Sequence, residues 1–250
     1  MKRWVIVPVK RLTAAKSRLS PVFPARQRRL VARSLLIHTL KTLRGLKRIE
    51  GILVVSKDPT VRSIAGKYGA VFVREGDCDG LNRALTRAAD EAVRLGAEAV
   101  MVLPADLPRL RTRDLEQAMQ LANLAPFAVI APDRPERGTN FLFVSPPGIL
   151  KFSFGERSFQ KHVRAARRSG VEAAICRRPD LAHDVDRPED LSESDIRLLN
   201  RILRENGSSL RNLPKLMGRR RRFQKVSGHR RIAGPTDRPT KTRRENSLPL

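Results

Sequence analysis

Apolar residues over the first two hundred positions fall into two alternating patterns. Short β-branched runs read as buried strands at Trp4 to Val9, Ile52 to Ser56, Ala70 to Arg74, Ala99 to Leu103, Phe127 to Ala131, Asn140 to Val144 and Val171 to Cys176. Between them come longer stretches with helical spacing. The clearest runs from Gly80 to Gly96, where Leu81, Ala84, Leu85, Ala88, Ala89, Ala92 and Val93 share one face and Gly96 suits the C-terminal cap. Further helices are expected over 25–43, over 112–124 with capping chemistry at Thr112, over 156–169, and from Pro188 to Arg204. This alternation predicts an α/β domain with a mostly parallel central sheet.

The regular pattern stops near residue 205. Residues 206–250 hold four prolines, the run Arg219 to Arg222 and few apolar positions, too little burial to offset ordering entropy. The expected division is therefore a folded domain over 1–205 and a basic, disordered tail over 206–250, with a short helix at 210–217 as its one candidate element. Charge follows the same division. Of the formal net charge of +26, the tail carries +11, from 13 Lys or Arg against Asp237 and Glu245. A nucleic-acid-binding protein is the reading such charge invites, but 4% aromatics and no binding module argue against it. Cys78 and Cys176 have no paired spacing, which points away from a disulfide framework or a zinc site. The first apolar run is short, contains Pro8 and is followed by Lys10 and Arg11, so no export signal or membrane anchor is expected there; the cytoplasm is the expected compartment.

Three segments carry candidate chemistry. The loop Lys10 to Leu19 sets Lys10, Arg11, Lys16 and Arg18 just past a strand's carboxyl end, where open α/β sheets bind ligands and where cations suit a triphosphate; a solvated basic loop is the alternative. It lacks the glycines of a Walker P-loop. Leu103 to Pro108 holds Asp106 at a strand tip between two prolines, suited either to magnesium or to a turn. In His183 to Leu191, Asp184 and Asp186 stand two apart in extended chain and so point the same way, with helix N-capping as the other reading. Two loops, 132–140 and 154–159, offer glycine amides with the Thr139 and Ser158 hydroxyls as anion cradles. His162, alone on its helix, reads as a structural histidine.

In this order the segments resemble the 2-phospho-L-lactate guanylyltransferase family of coenzyme F-420 biosynthesis, whose variants act on phosphoenolpyruvate or 3-phosphoglycerate. The resemblance rests on Val7 to Lys10 with Ala15 to Leu19, Gly80 to Leu85, Leu103 to Pro108, Pro132 to Arg134 with Gly138 to Asn140, Phe154-Gly155 with Ser158-Phe159 and His162, and Asp184 to Leu191. It implies a GT-A-like, nucleotide-diphospho-sugar transferase-like fold and transfer of GMP from GTP to a small phosphorylated acid, releasing pyrophosphate. Matching positions then take roles. Asp106, Asp184 and Asp186 would hold Mg2+; Thr139, Gly155 and Ser158 would receive the acid. Lys10, Lys16 and Arg18 would meet the triphosphate, and the Gly80-Leu81-Asn82 turn would lie against the guanine, its amide reading the purine edge.

The chain departs from the family at Ser34 to His38, where methionine and an acidic residue are usual, and at Arg187, usually threonine. The arginine-rich tail falls outside the family pattern. A related nucleotidyltransferase acting on a sugar phosphate or molybdopterin is the competing enzyme reading, against which the glycine-poor loop at Lys10 to Arg18 argues. The choice among the three acids stays open, and a homodimer is compatible with the sequence. Replacing Asp106 or Asp186 by asparagine is expected to relieve carboxylate repulsion at little cost to folding.

Overall fold

The computed structural model describes residues 1–76, 80–122 and 124–208. The expected tail beyond Ser208, its candidate helix at 210–217 and Cys78 lie outside the described residues. Seven strands, β1 (Arg3–Pro8), β2 (Gly51–Ser56), β3 (Val71–Arg74), β4 (Ala99–Val102), β5 (Phe127–Pro132), β6 (Thr139–Ser145) and β7 (Ala173–Ile175), form one sheet in the order β3-β2-β1-β4-β6-β5-β7. Every pairing is parallel except those of β6 with β4 and β5. The exception follows from connection length: residues 133–138 join β5 directly to β6, too few for the crossover a parallel pair needs.

Strand side chains alternate strictly between two cores. Val5, Val7, Ile52, Val54, Met101, Phe141 and Phe143 face α1 (Ala25–Arg44), α2 (Pro59–Lys67) and α4 (Thr112–Gln120). Ile6, Leu53, Val55, Val100, Val102, Leu142 and Val144 face α3 (Leu81–Arg94) and α5 (Ser158–Arg168). A smaller cluster, including Leu19, Phe23, Val31, Leu35, Val185, Leu199 and Ile202, joins α1 to α7 (Glu193–Glu205). Burial on both faces explains why the strands read as continuous apolar runs.

Several boundaries differ from the sequence reading, each for a physical reason. The 112–124 helix ends at Gln120, since Leu121 and Leu124 are exposed and leave no apolar face to bury. Thr112 does not cap it; the cap position is Arg111, and the Thr112 hydroxyl instead donates to the carbonyl of Thr42 on α1. α5 starts at Ser158, because Gly155 (φ 113°) and Arg157 (φ 53°) are left-handed and cannot belong to a right-handed helix. Pro188 opens only one 3-10 turn, Pro188–Asp190; α7 begins after Ser192, whose hydroxyl accepts from the Asp195 amide while the Asp195 carboxylate accepts from the Ser192 amide. Two helices were not anticipated: α2, capped by Asp58 with Pro59 in its first turn, and the single turn α6 (Pro179–Ala182). No helix among the described residues is long and apolar enough to cross a membrane.

Candidate active site

β1 delivers the chain at Pro8 into the basic loop, which is held down at defined points. The Val9 amide donates to the Val55 carbonyl (2.9 Å), the Leu12 amide donates to a carboxylate oxygen of Asp58 (2.8 Å), and Leu12, Ala15 and Leu19 are buried. Burial pushes the Asp58 carboxyl up, but the amides of Leu12 and Thr60 outweigh it and hold the group below the usual carboxylate range. Asp58 thus caps α2 and pins the loop with one side chain. Lys16 itself adopts the left-handed region (φ 56°), an uncommon conformation for a side chain this long, at the entry to the 3-10 turn Ser17–Leu19.

From the neighbouring strand β4 the chain continues through Leu103, whose amide donates to Ile6, to Asp106. There the loops meet. Lys16 Nζ lies 2.9 Å from an Asp106 carboxylate oxygen, and Arg18 Nη1 lies 2.7 Å from one of Asp186. The Asp106 carbonyl accepts the Val185 amide at 3.1 Å, tying the two acidic segments together. Along 183–186 the alternation expected from extended chain holds: His183 and Val185 are buried, whereas Asp184 and Asp186 stand on the half-open side. Behind them His183 Nε2 and the Arg109 guanidinium both approach Asp195 Oδ1 (2.9 and 2.7 Å), so α7 braces the acidic segment. The backbone of Asp186 is held in turn by Asp190, which accepts its amide at 2.9 Å.

Asp184 is the electrostatically burdened group. Burial and the neighbouring Asp106 carboxylate raise its pKa to about 6, against which its bond from Asn140 Nδ2 (3.2 Å) and the Lys16 charge act only in part. The opposite Asp106 oxygen, Oδ1, is buried with no hydrogen-bond partner. A buried, unpartnered carboxylate oxygen beside a second carboxylate held partly neutral is an arrangement that a hard divalent cation suits. Among the described residues no three His, Cys, Asp or Glu side chains already converge into a cage. The repulsion expected between Asp106 and Asp186 falls instead between Asp106 and Asp184, because Asp186 is paired with Arg18 and the Lys16 charge offsets Asp106 only in part.

A cleft of about 530 Å³ collects Lys10, Lys16, Arg18, Gly80, Leu81, Asp106 and Asp186, seven of the residues the sequence singled out. Asn82, Thr139, Gly155, Ser158 and Asp184 are not among its lining residues. Asn82, in the first turn of α3, uses its amide on the Phe154 backbone, donating to the carbonyl (3.1 Å) and accepting the amide (2.7 Å). Those two atoms are therefore engaged with the 152–155 segment, which the sequence reading of a purine-facing amide did not foresee. Thr139 and Ser158 are buried, and the Thr139 hydroxyl meets His162 Nδ1 at 2.9 Å. Of the two expected anion cradles, the 132–140 loop is closed on itself: Asp133 accepts the Arg137 amide and donates its own to Gly138, where a Cβ would fall 2.6 Å from the carboxylate. Sequence reasoning missed Asp58 and Ser153 and gave Asn140, though within the resemblance, no role of its own; the Asp58-Pro59 pair carries a local signal, that of a helix start.

A mostly parallel sheet gathers cations and carboxylates at the carboxyl ends of β1 and β4, where open α/β sheets bind their ligands. Solved structures agree on the fold. A putative nucleotide-diphospho-sugar transferase from Desulfovibrio desulfuricans G20 aligns over 83% of this chain and 96% of its own (TM-score 0.61, 18% identity). A 4-diphosphocytidyl-2C-methyl-D-erythritol synthase aligns over 79% and 97% (TM-score 0.56, 14% identity). The chain belongs to the family described as guanylyl transferase CofC like, whose model matches residues 3–227. That match takes in Arg219 to Arg222, so the expectation that the arginine-rich tail falls wholly outside the family pattern is corrected as far as residue 227. A phosphoenolpyruvate guanylyltransferase of Rubrobacter xylanophilus is 42% identical over 192 residues, 77% of this chain and 93% of the relative. The enzyme of the same description from Sphaerobacter thermophilus is 37% identical over 188 residues, 75% and 90% respectively.

Proposed function

We propose that this chain transfers GMP from GTP to phosphoenolpyruvate, or to the closely related 2-phospho-L-lactate or 3-phosphoglycerate, with release of pyrophosphate, as a step in coenzyme F-420 biosynthesis. The observation that carries the proposal is the pairing of Lys16 with Asp106 and Arg18 with Asp186 at the mouth of one cleft. Cations and metal-binding carboxylates there stand within reach of each other and of a bound triphosphate. Phosphoenolpyruvate stands first among the acids because the relatives described above carry that substrate in their names.

In the reaction an oxygen of the acid's phosphate forms a bond to the α-phosphorus of GTP while the bond from that phosphorus to the β-bridging oxygen breaks. The electron pair leaves with pyrophosphate. A phosphate dianion is its own nucleophile, so no side chain has to remove a proton. The task left to the protein is to bring two anions together. Lys16 and Arg18, next to the cleft, neutralise charge on the triphosphate and on the departing pyrophosphate. Thr139, Gly155 and Ser158 receive the acid. Asp106, Asp184 and Asp186 would hold Mg2+, which would supply positive charge to offset the repulsion of the reacting phosphates. The test is pyrophosphate release from GTP with each acid in turn, repeated with CTP and UTP. Release dependent on GTP and one of the acids supports the proposal; equal rates with CTP, or turnover only with a sugar phosphate, overturn it.

A further inference from the structure

His162 is fully buried on α5, and the hydrogen bonds around it fix which nitrogen carries its proton. The Ser153 amide lies 3.0 Å from Nε2, and a backbone N–H can only donate, so Nε2 presents its lone pair. The proton of the neutral ring is therefore on Nδ1, 2.9 Å from the Thr139 hydroxyl oxygen, which accepts it. Burial, with Lys161 nearby, lowers the imidazole pKa to about 4, so the neutral form persists at ordinary pH. The ring cannot turn freely either: Phe154 packs edge-on against it (centroids 4.7 Å apart, 66°), and Asn82 holds the Phe154 backbone through both its amide atoms.

A threonine hydroxyl normally both donates and accepts. Here one lone pair accepts the Nδ1 proton, so the hydroxyl cannot donate to the ring, and among the described residues His162 is its one hydrogen-bond partner, which leaves its proton to be given elsewhere. Phosphate and carboxylate oxygens of an ionised acid only accept. We propose that His162 is a positioning residue that fixes the Thr139 hydroxyl as an obligate donor to an anionic oxygen of the acid acceptor, the Asn82–Phe154–Ser153 chain holding the imidazole in register. The inference rests on the proposed function, in which Thr139 receives the acid. The residue after Thr139 is tied to the carboxylate cluster, Asn140 donating to Asp184 and to the Leu181 carbonyl.

The experiment is steady-state pyrophosphate release from GTP, titrating phosphoenolpyruvate, in the full chain. His162→Leu raises the KM for the acid by about tenfold or more, the range for a hydrogen bond to a charged group, and leaves the KM for GTP within about twofold. His162→Asn, whose amide N–H stands close to the Nδ1 position, restores most of the loss. Thr139→Val shows a comparable rise, and the double variant His162→Leu/Thr139→Val is no worse than Thr139→Val alone, because the histidine acts through the hydroxyl. An unchanged KM for the acid in His162→Leu, a parallel rise in the KM for GTP, or multiplying effects in the double variant overturns the inference alone. If His162→Leu does not fold, Asn and Gln at position 162 decide: Asn close to wild type with Gln impaired supports the inference, and the reverse order overturns it. A wild-type enzyme inactive with GTP and all three acids overturns the proposed function and the inference with it.

Discussion

Replacing Asp184 by asparagine should stabilise the folded protein at pH 8 in the absence of divalent metal. The carboxyl has a pKa of about 6 in the fold against 3.8 for the ordinary group, raised by burial and by Asp106. A group whose folded-state pKa lies above its unfolded value contributes stability that is fully present below about pH 3.8 and is lost as the pH rises through about 6. The loss corresponds to an upper limit of about 3 kcal/mol, at about 1.36 kcal/mol for each pH unit separating the two values. Asparagine removes the charge, keeps the shape and still accepts the bond from Asn140. For a domain of this size each kcal/mol moves the melting temperature by about 2–4 °C, so the variant should melt up to about 10 °C higher at pH 8. The gap should shrink to roughly half by about pH 5, where the wild-type carboxyl is itself mostly protonated. Thermal melts of both proteins in chelator at the two pH values provide the assay. A variant that melts at or below wild type at pH 8, or by the same margin at both pH values, would refute the placement of an unrelieved charge on Asp184.

Other consequences follow from the same contacts. His162, with a folded-state pKa of about 4 against 6.5 unfolded, takes up its proton first in the unfolded chain; stability should therefore fall by up to about 3 kcal/mol as the pH drops from 6.5 to 4, and urea unfolding should find that slope reduced in His162→Asn. Asp106→Asn and Asp186→Asn should each lower magnesium-dependent turnover by about 10²-fold or more, by analogy with the loss of one transition-state contact. Asp186→Asn should not gain stability, because it leaves Arg18 without its carboxylate, whereas Asp106→Asn both unpairs Lys16 and relieves Asp184 and so should gain less than Asp184→Asn; thermal melts check this. Cutting the chain after Ser208 keeps the bonds of Asn206 to Lys41 and Ser34 and should leave acid-dependent pyrophosphate release intact; a soluble, folded truncation without turnover would show that residues 209–250 take part.

How much of this was legible in the sequence depended on the range of the forces involved. The sheet and its helices were readable because burial on both faces leaves a periodic trace, and Asp106 was readable because a strand tip and two prolines are local features. The facing of Asp184 and Asp186 followed from strand periodicity alone. What the sequence hid were partnerships across the fold. Asn82 meets Phe154 at a separation of 72 residues, and Lys16 meets Asp106 at 90, so neither the engagement of the amide nor the pairing of cation with carboxylate has a local signature. The start of α7 was misplaced because Pro188 and Ser192 are both good openings, and the reciprocal bonds of Ser192 with Asp195, themselves braced by His183 and Arg109, decide between them. His162 looked like an ordinary buried histidine until its two neighbours, Ser153 and Thr139, determined where its proton lies.

In the proposed reaction an acid phosphate oxygen takes the α-phosphorus of GTP. Its most direct test is to follow GTP labelled at the α-phosphorus, with phosphoenolpyruvate, 2-phospho-L-lactate or 3-phosphoglycerate as acceptor and magnesium present. If that reaction occurs, the label moves into a new product containing the acid, joined through a phosphoric anhydride visible as two coupled phosphorus NMR signals, while unlabelled pyrophosphate is released in equal amount. Label appearing in free GMP, or remaining in GTP with every acid, would contradict it.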